Sequence, residues 1–130
     1  MSLAIALAML LQVTPPVPVP TQPLAVPPTD WALLPELKLQ RPWRDQRALS
    51  DYVRDEVRAG RCAAPGNGVR VDLVVLVAAN GQVRRIIPRA INCPTVEQYA
   101  SGLMSRMARS NVAPPAEEGW FRTALVFAWR

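Results

Sequence analysis

The sequence predicts an α+β domain: a small antiparallel three-stranded sheet in the order β-β-α-β, with one additional helix ahead of it. Three stretches predict it. Residues 69–79 alternate apolar and polar and run into Asn80-Gly81, residues 93–107 repeat apolar side chains every three or four positions, and residues 120–129 alternate again.

Each element follows from local pattern. Residues 44–60, RDQRALSDYVRDEVRAG, place Leu49, Tyr52, Val53 and Val57 at helical spacing, with Asp51, Arg54, Asp55 and Arg58 opposite. That is an amphipathic helix packed on another surface, with Gly60 as its stop. The first strand, 69–79, puts Val69, Val71, Leu73, Val75 and Val77 on one face. Its other face starts polar with Arg70 and Asp72 and turns apolar at Val74 and Leu76. Asn80-Gly81 predicts a two-residue hairpin turn, because both central positions of that turn need positive φ. The second strand runs from Gln82 toward Arg89, and Pro88, lacking an N–H, makes it an edge or ends it. Thr95 is the expected cap of the next helix, with Gln98 closing a capping box. Val96, Tyr99, Ala100, Leu103 and Met107 form the stripe that should lie on the hairpin. After Pro114-Pro115, the last strand sets Phe121, Leu125, Phe127 and Trp129 on one face and Trp120, Arg122 and Ala124 on the other.

Ahead of these elements the organisation changes. Residues 3–13, LAIALAMLLQV, are about half as long as the roughly 20 residues of a spanning helix. Residues 1–14 read first as a secretory signal peptide, with a short uncleaved hydrophobic anchor or a wrongly assigned start as alternatives. Residues 15–43 are expected to be a proline-rich spacer and 44–130 the folded domain. Eight of the 14 prolines precede position 36, favouring extended polyproline II, and a ligand for a proline-reading domain is the alternative. An exported chain is expected to be periplasmic. Export gives Cys62 and Cys93 a role as a disulfide that closes a 31-residue separation, stabilising by about 3 to 4 kcal/mol, against the alternative of two unrelated buried thiols.

Composition excludes several function classes. The chain has 130 residues, 15 basic and 10 acidic side chains for a net charge of +5, and no histidine. A His-based general base, a serine or cysteine triad and ordinary zinc ligation are therefore not expected, nor is any metal or other cofactor. All basic residues but Lys38 are arginine, scattered from Arg41 to Arg130 with no interleaved aromatic platform, so no nucleic-acid partner is expected. Asp51 and Asp55 lie one helical turn apart and Glu117-Glu118 sit in a loop. No nucleophile or phosphate cradle joins them, and an enzyme is not expected.

The order from Val69 onward resembles the carboxy-terminal domain of TonB-type energy transducers, whose core is β-β-α-β. The residues that carry the resemblance are Asn80-Gly81-Gln82-Val83 after an alternating strand, the helix with Tyr99, Ala100 and Leu103, the break at Pro114, and the strand Trp120 to Trp129 after Gly119. It covers roughly half the chain. Arg109 to Ala113 lack the aromatic that the family carries after its helix, and the family's tyrosine-proline motif ahead of the first strand is absent. The family's spanning helix bears a histidine that couples to the proton-motive complex, so the resemblance extends to the receptor-facing domain and not to the motor.

The resemblance implies a protein partner, an outer-membrane receptor peptide bound by strand addition in support of TonB-dependent transport. The expected docking edge is Arg122, Thr123, Ala124, Leu125, Val126 and Phe127, with Arg122 facing an acidic residue of the partner. A homodimer through free edges and a membrane tether at the amino terminus are further expectations. The alternative function is a structural or regulatory envelope module that binds peptidoglycan or another periplasmic protein through its positive charge.

Overall fold

Gly68–Val77, rich in valine and leucine, forms the central strand β1 of a three-stranded antiparallel sheet. The structure, a computed structural model, describes residues 26–43, 47–64 and 66–130. The expected leader or anchor over residues 1–14, most of the proline-rich stretch and residues 44–46 of the expected first helix lie outside the described residues. β2 (Val83–Pro88) and β3 (Gly119–Ala128) flank β1 in the order β2-β1-β3. α1 (Arg47–Arg58) precedes the sheet and α2 (Pro94–Ala108) connects β2 to β3. This is the expected α+β architecture, with the additional helix ahead of β-β-α-β.

The main core lies between one sheet face and the helices. Val71, Leu73, Val75 and Val77 of β1 join Leu125 and Phe127 of β3, Val53 of α1, and Val96, Ala100, Leu103 and Met107 of α2. Period-two strands and 3.6-period helices put these residues on facing surfaces. Tyr99 lies between Tyr52, with ring centroids 4.5 Å apart, and Phe127 at 5.8 Å, and its hydroxyl donates to the Leu49 carbonyl at 2.8 Å.

The opposite sheet face carries a second cluster. Val74, Leu76 and Trp120 are buried there beneath Trp31 and Leu34, with Ile87 alongside. Trp31 belongs to a single 3₁₀ turn, Trp31–Leu33, started by Asp30, whose carboxylate accepts the Ala32 N–H at 3.0 Å. The chain then crosses the edge of β3 at a parallel bridge, Glu36 to Arg122, and reaches the helix side, where Leu37, Leu39 and Trp43 pack on the main core. Residues 31–43, assigned to the spacer from their prolines, are instead a strap folded around the sheet. Their leucines and tryptophans decide this, because alternate faces of the strap bury apolar area that a solvated spacer would expose.

Asn111 fastens the strap's far end. Its amide accepts the Arg41 N–H at 2.7 Å and donates to the Arg41 carbonyl at 2.8 Å and to Met107 O at 2.9 Å, while its own carbonyl accepts from Gln40 N at 2.7 Å. Only 4% of Asn111 is exposed, so these bonds satisfy groups that water does not reach.

Two local expectations differ. The hairpin is not a two-residue turn: Gly81 N donates to Ala78 O at 2.8 Å and Ala78 N to Gln82 O at 2.9 Å, and the register shifts between Leu76 and Val77. Of Asn80 and Gly81 only Gly81 has positive φ, at 88°, which suits a turn followed by a bulge. A Cβ at Gly81 would also lie 2.9 Å from Val112 O. At α2 the N-cap is Cys93 rather than Thr95, whose hydroxyl donates instead to Glu56 Oε2 at 2.8 Å. Glu97, not Gln98, reaches back and accepts the N–H groups of Ile91 at 3.2 Å and Cys93 at 2.9 Å. Pro94 follows the cap in the first turn, where its missing N–H has no intrahelical partner to lose.

Cys62 and Cys93 form a disulfide with Cα atoms 5.2 Å apart. It ties the chain after α1 to the start of α2, beside the Glu56 carboxylate, which also accepts from Arg61 Nη1 at 2.7 Å. Replacing both cysteines by serine is expected to lower unfolding free energy by about 3 kcal/mol, read by urea denaturation of oxidised wild type and variant; equal midpoints would refute it.

Burial pushes the Tyr99 phenol above its usual value, opposed by Arg106 and reinforced by Asp51 and Tyr52. The fold therefore favours the protonated form. That contribution is complete below the unfolded value of about 10 and is lost as pH rises through the folded value. Denaturation curves across this alkaline range should show stability falling in wild type and a flatter dependence in Tyr99→Phe, which starts less stable for want of the bond to Leu49.

Candidate functional site

The outward edge of β3 is the edge at which the sequence leads one to expect a partner segment. β3 pairs with β1 over its whole length, from Gly68 opposite Ala128 to Val77 opposite Gly119. At Arg122 both main-chain groups face away from β1: its N–H donates to Pro35 O and its carbonyl accepts from Leu37 N, each at 2.8 Å. Outward residues alternate along an antiparallel strand, so Ala124, Val126 and Ala128 also face out. Ala128 N donates to Ser50 Oγ of α1 at 3.2 Å. The residues of the expected docking edge, Arg122 to Phe127, alternate in the direction of their main-chain groups. Thr123, Leu125 and Phe127 turn their main chain to β1, and Leu125 and Phe127 are buried in the core. Arg122 is engaged by the strap. Among the described residues Ala124 and Val126 are left as a short window between the strap and α1, and Val126 is 50% exposed.

The other sheet edge offers less. Arg89 N donates to Asp72 O at 2.8 Å, and Ile87 and Arg85 pair opposite Val74 and Leu76, so these residues face β1. Arg84, Ile86 and Pro88 face out. Pro88 has no donor, and Arg84 Nε contacts Glu118 Oε1 at 3.0 Å. A charged, proline-ended edge resists strand pairing.

An open cleft of about 580 Å³ adjoins the β3 window on the outer sheet face. Ala124 and Asp72 are side by side in the sheet there, and the small side chain of Ala124 deepens it. Arg70, Arg89 and Arg122 line it together with Asp72 and Glu36, three positive charges against two negative. Arg89 stacks on Trp31 with its guanidinium carbon 4.5 Å from the ring centre, which fixes that side chain as a wall. Arg70 Nε contacts Asp72 Oδ1 at 3.0 Å, and Arg122 Nε donates to Leu34 O at 2.9 Å. The terminal nitrogens of an arginine so held remain donors for a carboxylate in the cleft. Trp31, Arg89 and Asn111 were not among the expected site residues. A charged strand face opposite a small residue was the available signal for the cleft, whereas Asn111 acts through a loop geometry that no pattern announces.

Among the described residues no group of three or more His, Cys, Asp or Glu side chains is placed to hold a metal ion, and no helix is long and apolar enough to cross a membrane. The site and fold define a disulfide-stapled α+β domain with one partly covered strand edge. Comparison with protein-family models, curated proteins and solved structures finds no match to this chain.

Proline substitution separates the two sets of β3 residues. Ala124→Pro and Val126→Pro remove outward N–H groups and should keep most of the thermal stability. Thr123→Pro and Leu125→Pro break the β1 ladder and should lose about 3 kcal/mol or more, enough to unfold the domain. Melting curves by circular dichroism read the difference, and equal losses at all four positions would refute the assigned strand phase.

Proposed function

We propose that this domain binds an extended segment of a partner protein by strand addition at the outward edge of β3, as a periplasmic TonB-like domain holds a peptide of an outer-membrane receptor. It does so without the energy-coupling segment of full transducers. The observation that carries the reading is the pair of outward main-chain positions, Ala124 and Val126, next to a cleft lined by arginine. An incoming strand completes the open N–H and C=O groups, and its alternate side chains reach the cleft. The resemblance of the β-β-α-β order to the TonB carboxy-terminal domain supports the same edge, and the disulfide suits an oxidising compartment such as the periplasm.

Magnitudes say what such a partner must carry. The window offers four main-chain groups, each contributing about 1 kcal/mol net when paired, which by itself is millimolar affinity at best. Side chains must supply the rest. An acidic residue seated against Arg122 and its neighbours in the cleft is the complementary choice.

The cleft favours a second reading, in which an anionic envelope polymer such as peptidoglycan occupies it and the edge is incidental. Affinity capture from the envelope of cells that make the protein distinguishes the two. Recovery of an outer-membrane receptor should fall about fivefold to tenfold with Val126→Pro, the affinity that one lost main-chain bond of about 1 to 1.4 kcal/mol confers. Unchanged recovery sinks strand addition. Binding to purified sacculi that vanishes in high salt and with Arg70→Ala, yet survives Val126→Pro, establishes the polymer instead.

A further inference from the structure

We propose that strap residues 34–39 are a self-held occupant of the docking edge, and that a partner segment binds by exchanging with them. The inference rests on the strand-addition reading and adds its regulation. The strap already makes the contact that strand addition requires. Pro35 O accepts the Arg122 N–H and Leu37 N–H donates to Arg122 O, in parallel register with β3. It then leaves the strand: Lys38 O accepts the Ala113 N–H at 3.3 Å and Leu39 bridges to Val112, so among the described residues the strap's main chain pairs with β3 at Arg122 and not at Ala124, the next outward residue.

An incoming strand confined to the open window has two outward residues to pair with. One that displaces the strap has three, Arg122, Ala124 and Val126, in a continuous row. The strap also defines the chemistry that the edge accepts. Leu34 lies on the outer-face cluster, Leu37 and Leu39 lie on the main core, and Glu36 is exposed between them at the cleft. The partner is therefore a segment of another protein that runs parallel to β3, places apolar side chains on both sides of the edge and carries an acidic residue between them.

Exchange needs an occupant that can be released without unfolding the domain, and the strap has one concentrated anchor. Asn111 holds Arg41 through both of its peptide groups and Gln40 through its own carbonyl. Loosening that anchor raises the population in which the edge is open, and apparent affinity rises by the same factor.

The probe is a labelled synthetic peptide with the strap's own sequence, LLPELKLQ, titrated into the full chain. Asn111→Ala should bind it about tenfold more tightly than wild type, the effect of losing one to two net hydrogen bonds that hold the strap. Gln40→Pro, which removes a strap N–H at an exposed position, is the second variant should Asn111→Ala fail to fold. Hydrogen exchange of the complex should show Ala124 and Val126 amides protected while Leu37 and Gln40 amides become exchangeable. Protection of Ala124 and Val126 with Leu37 and Gln40 still protected, and equal affinity in all variants, overturns strap exchange but leaves strand addition standing. Binding that protects neither Ala124 nor Val126, or no binding to any variant, overturns both.

Discussion

The rest of the structure depends on one constraint: the second half of β1 is apolar on both faces. Val75 and Val77 face the helices while Val74 and Leu76 face the other way, and all four are buried. Two helices on a three-stranded sheet cover only one face. An antiparallel sheet commonly leaves its second face to water, but a valine and a leucine beside Trp120 make that costly here, by about 1.5 to 3 kcal/mol for each exposed side chain. The cover comes from the residues just ahead of α1. Since α1 lies on the helix side and Trp31 on the outer side, the connecting chain must pass around an edge, and it passes around β3. The strap is thus a consequence of the β1 sequence, and so is its occupation of Arg122.

At the β3 edge itself, apolar burial outweighs main-chain hydrogen bonding in holding the strap. Its two main-chain bonds to Arg122 contribute about 2 kcal/mol together. Leu34, Leu37 and Leu39, each half-buried, contribute about 1 kcal/mol apiece, and Trp31 and Trp43 add more. In the proposed exchange, the edge bonds are the part that a rival strand would replace one for one. The leucine contacts are the part that it would have to match, so under that proposal the segment's side chains would matter more than its main chain in selecting a partner.

How much was legible follows from how local each signal is. Alternation in β1 and β3 and the three-and-four spacing of α2 located the sheet, the helices and the faces of Leu125, Phe127 and Trp120, because those patterns repeat over many residues. The apolar turn of β1 at Val74 and Leu76 was visible too, but no segment was assigned to cover it. Trp31 to Trp43 was not assigned to that role because its prolines suggest a solvated spacer and its leucines follow no single period: they serve two different faces as the strap crosses the edge. The strand phase was right, and the six residues named from it, Arg122 to Phe127, include three whose main chain is already paired with β1. Asn111 was invisible because an amide mimicking a peptide partner depends on the three-dimensional approach of Arg41.

The two ends of the open window are held by devices of different kinds. At its far end Ala128 meets Ser50 of α1, and α1 is tied through the Cys62–Cys93 disulfide and the Glu56 contacts with Arg61 and Thr95 to the start of α2. That end is covalently backed and does not yield without disturbing the main core. At the near end the limit is the strap, whose hold is a set of hydrogen bonds and half-buried leucines gathered around Asn111. In the proposed binding mode a docked strand would therefore lengthen from Val126 and Ala124 toward Arg122. That direction would also bring the segment against the arginine cleft rather than away from it, so the edge to be opened and the charge to be matched lie on the same path.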